Sequence, residues 1–122
     1  MAYDITSAAL HSALRGLSTR RNVQAQNIAN VDTPGYLAGR VSFEDTLAGA
    51  LDDVRRGRAG RDATAAVRPE MQTSIEATRL NGNNVNLDDE IVSNTETELA
   101  YSTVLEALNA KFRLLRTSIN GR

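Results

Sequence analysis

Leu10, Leu14, Leu17, Arg21, Gln24, Ile28 and Val31 recur at alternating spacings of four and three, which is the seam of a coiled-coil-like helix. Thr6 or Ser7 is a suitable N-cap, and the pattern predicts a helix over about 7–30, roughly 35 Å long at about 1.5 Å per residue. The seam is apolar at both ends and polar in the middle. Arg21 and Gln24 weaken packing there, and polar seam residues serve register or partner choice at a cost in stability. The helix stops within Asn27-Ile28-Ala29-Asn30-Val31-Asp32-Thr33-Pro34-Gly35-Tyr36. Thr33 is pushed out of the helical region by the proline after it, Pro34 has no N–H to donate, and Gly35 accepts a positive φ. Asn27 and Asn30 share one helical face, and their amides have two uses open to them: the orphan carbonyls of the helix end, or a neighbouring chain's backbone.

A longer seam closes the chain. Leu87, Ile91, Asn94, Glu98, Tyr101, Leu105, Leu108, Phe112, Leu115 and Ile119 keep the same alternation with no proline or glycine between them. They predict a helix over about 87–120, roughly 50 Å long. Asn86 or Asp88 caps its start, and Asp88, Asp89 and Glu90 suit the positive end of the helix dipole. Lys111, Arg113 and Arg116 suit the other end, with Gly121 as a stop. Asn94 and Glu98 come near Arg21 and Gln24 if the two helices pack side by side. Leu105, Leu108, Phe112 and Leu115 form the longest apolar stretch of either seam.

Between the helices, from about 37 to 84, the periodicity is short and broken. Phe43, Leu47, Leu51 and Val54 predict a short amphipathic helix started by Ser42. The basic, small-residue stretch Arg55 to Thr64 is expected to be mobile in the isolated protein. Met71, Thr73, Ile75 and Ala77 alternate with polar residues as in one short strand, and Asn81-Gly82 makes a turn. The fold class predicted is all-α: one domain over 1–122, with long terminal helices packed as an antiparallel coiled-coil-like pair and a partly disordered middle segment.

Composition limits what such a chain does. Aromatic residues make up only 4% of the 122 and there is no tryptophan, so two long helices leave apolar surface for other subunits to cover. The chain has no cysteine, hence no disulfide framework and no cysteine metal site. No stretch approaches the roughly twenty apolar residues that span a bilayer, so no direct membrane insertion is expected. Met1-Ala2-Tyr3-Asp4 lacks the basic start of a cleavable secretory signal. The arginines at 55–61 read as a solvated loop, because net charge is −1 and no aromatic residue is interleaved for stacking on bases; no nucleic acid is expected as a partner. His11 is the single histidine and a poor nucleus for a metal site or a catalytic triad. Asp88-Asp89-Glu90 lacks the alternation and internal glycine of a calcium loop. No glycine-rich phosphate loop follows a strand. Neither enzymatic activity nor a cofactor is expected.

The seam running into Asn27-Ile28-Ala29-Asn30 and Thr33-Pro34-Gly35-Tyr36, with a second seam at the C-terminal end, resembles the flagellar rod, hook and filament-junction family of axial proteins. The short length is similar to that of the proximal rod members. Asn83-Asn84-Val85-Asn86-Leu87-Asp88-Asp89-Glu90, Tyr101 and Lys111-Phe112-Arg113-Leu114-Leu115-Arg116 resemble one of the two more than the other, in which Pro-Asn-Val would precede the last helix. The resemblance implies a structural subunit of the basal-body rod, exported without a cleavable signal through the flagellar type III apparatus. It also implies self-association and contact with other rod proteins and with the ring and export-gate junction. Subunit contacts are then expected at Leu10, Leu14, Leu17, Asn27, Ile28, Asn30 and Thr33 to Tyr36, and at Leu105, Leu108, Phe112 and Leu115. The alternative from another class is a helical adaptor or export chaperone.

Overall fold

The computed structural model describes residues 4–121; Met1-Ala2-Tyr3, considered above as a possible leader, and Arg122 lie outside the described residues. Helix α1 runs Ile5–Ala29, strand β1 Gly39–Ser42, helix α2 Glu44–Arg55, one-turn helix α3 Asp62–Ala65, strand β2 Glu70–Thr73 and helix α4 Leu87–Ile119. The N-cap of α1 is Asp4 rather than Thr6 or Ser7, its carboxylate accepting from the Ser7 N–H at 2.9 Å. Asp4 takes the role because Lys111 on the far helix also holds it, at 2.7 Å. Asn30 ends α1 as the sequence predicts, and of the two caps offered for α4, Asn86 takes the role and Asp88 does not.

The two long helices are antiparallel. From one end to the other, Asp4 meets Lys111, Arg21 meets Glu98 at 2.6 Å, Gln24 donates to Ser93 and Thr97, and Asn27 donates to Glu90. Of the expected meeting of the polar seam centres, Arg21 with Glu98 is present, while Gln24 bonds to Ser93 and Thr97 in place of Asn94. Arg21 also lies over the Tyr101 ring, 4.9 Å from its centroid.

The contact is built from small and polar groups more than from leucine. On α1, Gln24 and Asn27 bond to α4, while Ser12, Gly16, Leu17 and Val23 face the middle segment; the buried residues of α4 are Glu90, Thr97 and Leu108. Among the described residues Gln24 Oε1 and Ser7 Oγ are buried without a hydrogen-bond partner, which costs stability. The seam predicted for α4 is only partly covered by this contact: Leu108 is buried and Glu98 and Tyr101 meet Arg21, but Ile91, Leu105 and Phe112 remain 50%, 39% and 45% exposed. Heptad spacing fixes which residues share a stripe, but not which part of that stripe a monomer covers.

The middle segment is ordered, contrary to the mobile stretch expected from its composition. Phe43, Val41, Leu47 and Val67 fold onto Leu17 and Val23 of α1 as the hydrophobic core. Each such side chain contributes roughly 1.5–3 kcal/mol on burial. Two of the loop arginines are neutralised locally, Arg56 on Asp52 and Arg58 on Asp52 and Asp53. Ser12 and Arg15 of α1 bind the backbone carbonyls of Thr64 and Ala65. Helix α2 starts at Glu44 with Phe43 at the cap position, not Ser42, because the Phe43 side chain is drawn into the core under Arg20. Instead of one strand there are two, paired antiparallel with Val41 opposite Met71. The expected strand at 71–77 is confined to Glu70–Thr73, and all four of its residues are exposed. Its alternation does not mark a buried face.

Gly16 is where the core comes closest to α1: a Cβ there would overlap the Phe43 ring. Gly16→Ala is expected to destabilise the chain by about 1–3 kcal/mol despite the better helix propensity of alanine, measured by urea unfolding.

Candidate functional site

Where α1 ends, the helix-stop motif, the β1 strand, the 79–86 turn and the start of α4 meet in one polar junction. Asn27 is at its centre with 0% exposure. Its Nδ2 donates to Gly39 O at 2.9 Å and to Glu90 Oε2 at 3.1 Å. Its Oδ1 accepts from the Gly39 N–H at 2.9 Å and from the Tyr36 hydroxyl at 3.2 Å. An amide side chain has two donors and two acceptor positions, so the capacity of Asn27 is filled inside the chain. Of the two uses left open for the asparagine pair, Asn30 takes the helix-end carbonyl: its Nδ2 donates to Gln26 O at 2.8 Å, and its Oδ1 accepts from the Thr33 hydroxyl at 3.1 Å.

Glu90, 2% exposed, completes the junction. The same carboxylate that accepts from Asn27 pairs with Arg40 at 2.5 Å, and Arg40 also reaches Glu76 at 3.2 Å. A buried carboxylate is tolerated only with partners of this kind. Glu90 was expected to serve the dipole of α4 beside Asp88 and Asp89, which remain exposed. Its use as an interior partner was missed, although its position one turn into a helix, opposite a buried amide and an arginine on β1, is what a paired carboxylate needs.

Asn83 and Asn84 were also missed as site residues and are as deeply engaged as Asn27. Asn83 Nδ2 donates to Asn30 O and Thr33 O, both at 2.8 Å, so it holds the helix stop directly. Asn84 Oδ1 accepts from the Ala38 N–H at 2.7 Å, and its Nδ2 donates to Ser74 O and Glu76 O. Arg79 adds hydrogen bonds to the carbonyls of Val31 and Val85. Two glycine turns sit back to back: Gly35 at φ 74° donates its N–H to Asn81 O at 2.9 Å, and Gly82 has φ 83°. A Cβ on Gly82 would come within 3.3 Å of the Gly35 Cα.

The remaining predicted residues are dispersed. Thr33, Pro34 and Gly35 are exposed at the surface of the junction and Tyr36 is half-buried. Leu10, Leu14 and Ile28 are half-buried along α1, and Leu17 is in the core. On α4, Leu108 is buried and Leu115 half-buried, while Leu105 and Phe112 are exposed. At the opposite end of the helix pair, the Lys111 ammonium bound to Asp4 and the Ser7 N–H hold the Asp4 carboxyl down to about 2. Among the described residues no acidic, histidine or cysteine cluster suits a metal ion, and no helix is long and apolar enough to cross a membrane.

A pair of long antiparallel helices joined through a satisfied polar junction, with an apolar stripe left outward, defines a helical assembly subunit. The family model described as flagella basal body rod protein matches residues 9–36, the first helix and its stop motif. The chain is 30% identical to the flagellar basal body rod protein FlgB of Bacillus subtilis, over 92% of this chain and 91% of that one. It is 31% identical to FlgB of Escherichia coli, over 83% of each, and 35% identical to FlgB of Cereibacter sphaeroides, over 84% of each. The chain belongs to the FlgB family of flagellar basal body rod proteins.

Asn27→Ala leaves the Gly39 N–H and part of the Glu90 carboxylate unpaired, and is expected to cost about 2–4 kcal/mol in urea unfolding. Asn30→Ala removes an exposed helix-end bond and is expected to cost about 1 kcal/mol or less. Because the folded value of Asp4 is depressed from 3.8, its contribution is full above about pH 4 and is lost as pH falls through about 2. The difference in thermal midpoint between the wild-type chain and Asp4→Asn is expected to shrink across that window, followed by circular dichroism.

Proposed function

We propose that this chain is a structural subunit of the proximal flagellar rod, assembled by helix packing into the shaft that carries torque through the cell envelope, and that it catalyses no reaction. Its membership of the FlgB family supports the rod assignment, and FlgC, the other short rod protein weighed from the sequence, is not favoured. The observation that carries the assembly mechanism is the stripe on α4. Leu105, Phe112 and Ile119, one heptad apart, are 39%, 45% and 81% exposed in the folded chain. A stripe of that length is covered when subunits stack. Its partners are other rod and basal-body components, including those at the ring and export-gate junction. Passage through the flagellar type III apparatus without a cleavable signal fits a helix pair joined by small and polar contacts, which costs little to open.

Leu108 is buried in the isolated chain, so an aspartate there would disturb folding as well as assembly. Phe112 is the informative position. In a strain lacking the gene, Phe112→Asp is expected to keep wild-type helicity by circular dichroism yet give basal bodies with rings and no rod by electron microscopy. Intact rods with Phe112→Asp would remove the α4 stripe from the mechanism, and intact rods in the deletion strain would remove the rod function.

A further inference from the structure

Alongside the junction, α1, α2 and α4 leave an open groove of about 380 Å³. Leu17 and Phe43 form its floor, Leu47 and Leu51 one wall, and Ala100 and Val104 the other. Its walls and floor are apolar, and polar groups stand only at its rim. Arg20 and Glu44 are paired there, and on the outer side of α2 Asp52 is held by Arg56 and Arg58, whereas Asp45 makes no ion pair among the described residues. The first turn of α2 is thus acidic, with Glu44 and Asp45 both exposed.

The complementary surface is on the same chain. The Leu105, Phe112 and Ile119 ridge is apolar, and Arg116, one turn beyond Phe112, flanks it. Among the described residues Arg116 makes no ion pair, whereas Arg113 is bound to Glu106 at 2.9 Å. The ridge cannot enter its own groove, because α4 is one unbroken helix from Leu87 to Ile119 and Val104, the residue before Leu105, is itself part of the groove wall.

We propose that the α1–α2–α4 groove receives the α4 ridge of a second copy of this chain, with Arg116 of the incoming helix against Asp45 at the rim of α2. The inference rests on the rod-subunit reading and specifies which surfaces meet in it. Groove and ridge are different surfaces, so the contact is heterologous: each copy offers a ridge to one neighbour and a groove to another, and the series extends without closing on a pair. The ordered middle segment then has a role in assembly, since α2 supplies one wall of the groove and its acidic rim. An amphipathic helix laid into an apolar groove is anchored by side chains spaced along one face, as Leu105 and Phe112 are.

The chain has no cysteine, so single reporters can be placed without background. Gly49 is on the outer side of α2 with open space around it, and Asn109 is an exposed α4 residue beside the ridge. A deletion strain is complemented with Gly49→Cys and Asn109→Cys on separate copies, and intact cells are treated with a short bismaleimide. Swimming reports the rod, and the cross-link reports the contact. The expected result is a covalent dimer only when both variants are present, no dimer from either alone, and a ladder of higher species when one chain carries both cysteines. Asp45→Arg is expected to lower the dimer yield by up to about fivefold, the size of a rim ion pair, and Arg116→Asp in the partner copy to restore it. Swimming cells with no mixed dimer would overturn the groove contact and leave the rod function standing. A dimer from one variant alone would replace it by a two-fold contact between like surfaces. A deletion strain that swims without any copy would overturn the rod function itself.

Discussion

The side chain of Asn27 is wholly enclosed where α1 ends, and each of its hydrogen-bonding groups is used within the chain. Four elements depend on it. It holds both backbone groups of Gly39 at the start of β1, receives the Tyr36 hydroxyl from the helix-stop motif, and donates to Glu90 on α4. A buried amide with any of these bonds missing would weigh against folding, and one with all of them made selects a single register for everything it touches. Glu90 extends the arrangement to Arg40, and Asn83 ties the helix stop to the turn before α4. The loop from Val31 to Ala38 is therefore held in place by side-chain amides more than by apolar contact.

That division of labour explains the surface. The junction fixes how α1 and α4 meet, so the contact between them can include serine, threonine, glutamine and the Arg21–Glu98 pair. Leu99, Leu105, Phe112 and Leu114 of α4 are then free to point outward. The hydrophobic core is gathered at one place, where Phe43, Val41 and Leu47 fold onto Leu17 and Val23. Away from it, Leu108 is buried near the end of α4, and Lys111 pairs with Asp4 at the start of α1. A chain arranged in this way is specific in its geometry and modest in its stability, and it gains order when neighbours cover the stripe.

Both long helices were legible in the sequence because heptad spacing and end signals are local. The stop at Asn30, the cap at Asn86 and the meeting of Arg21 with Glu98 all follow from them. Rotation of α4 was not legible. Which side of a long stripe a monomer buries depends on tertiary contacts such as Glu90 facing Asn27. The order of the middle segment was hidden for a similar reason. Arg56 and Arg58 look like a mobile basic loop until Asp52 and Asp53, one turn earlier on α2, are seen to hold them. Asn83 and Asn84 carried a signal as a polar pair before the last helix, yet nothing local separates a buried clamp from a solvated turn.

Amide hydrogen exchange on the isolated chain and on purified basal bodies tests the account most directly, because it reads the junction and the stripe together. The Gly39 amide, held by Asn27, is predicted to be protected in both states. The amides of residues 105–119 are predicted to exchange quickly in the isolated chain and to become protected in the rod. An unprotected Gly39 amide in the isolated chain would contradict the prebuilt junction, and equal exchange of residues 105–119 in both states would contradict assembly through the outer face of α4.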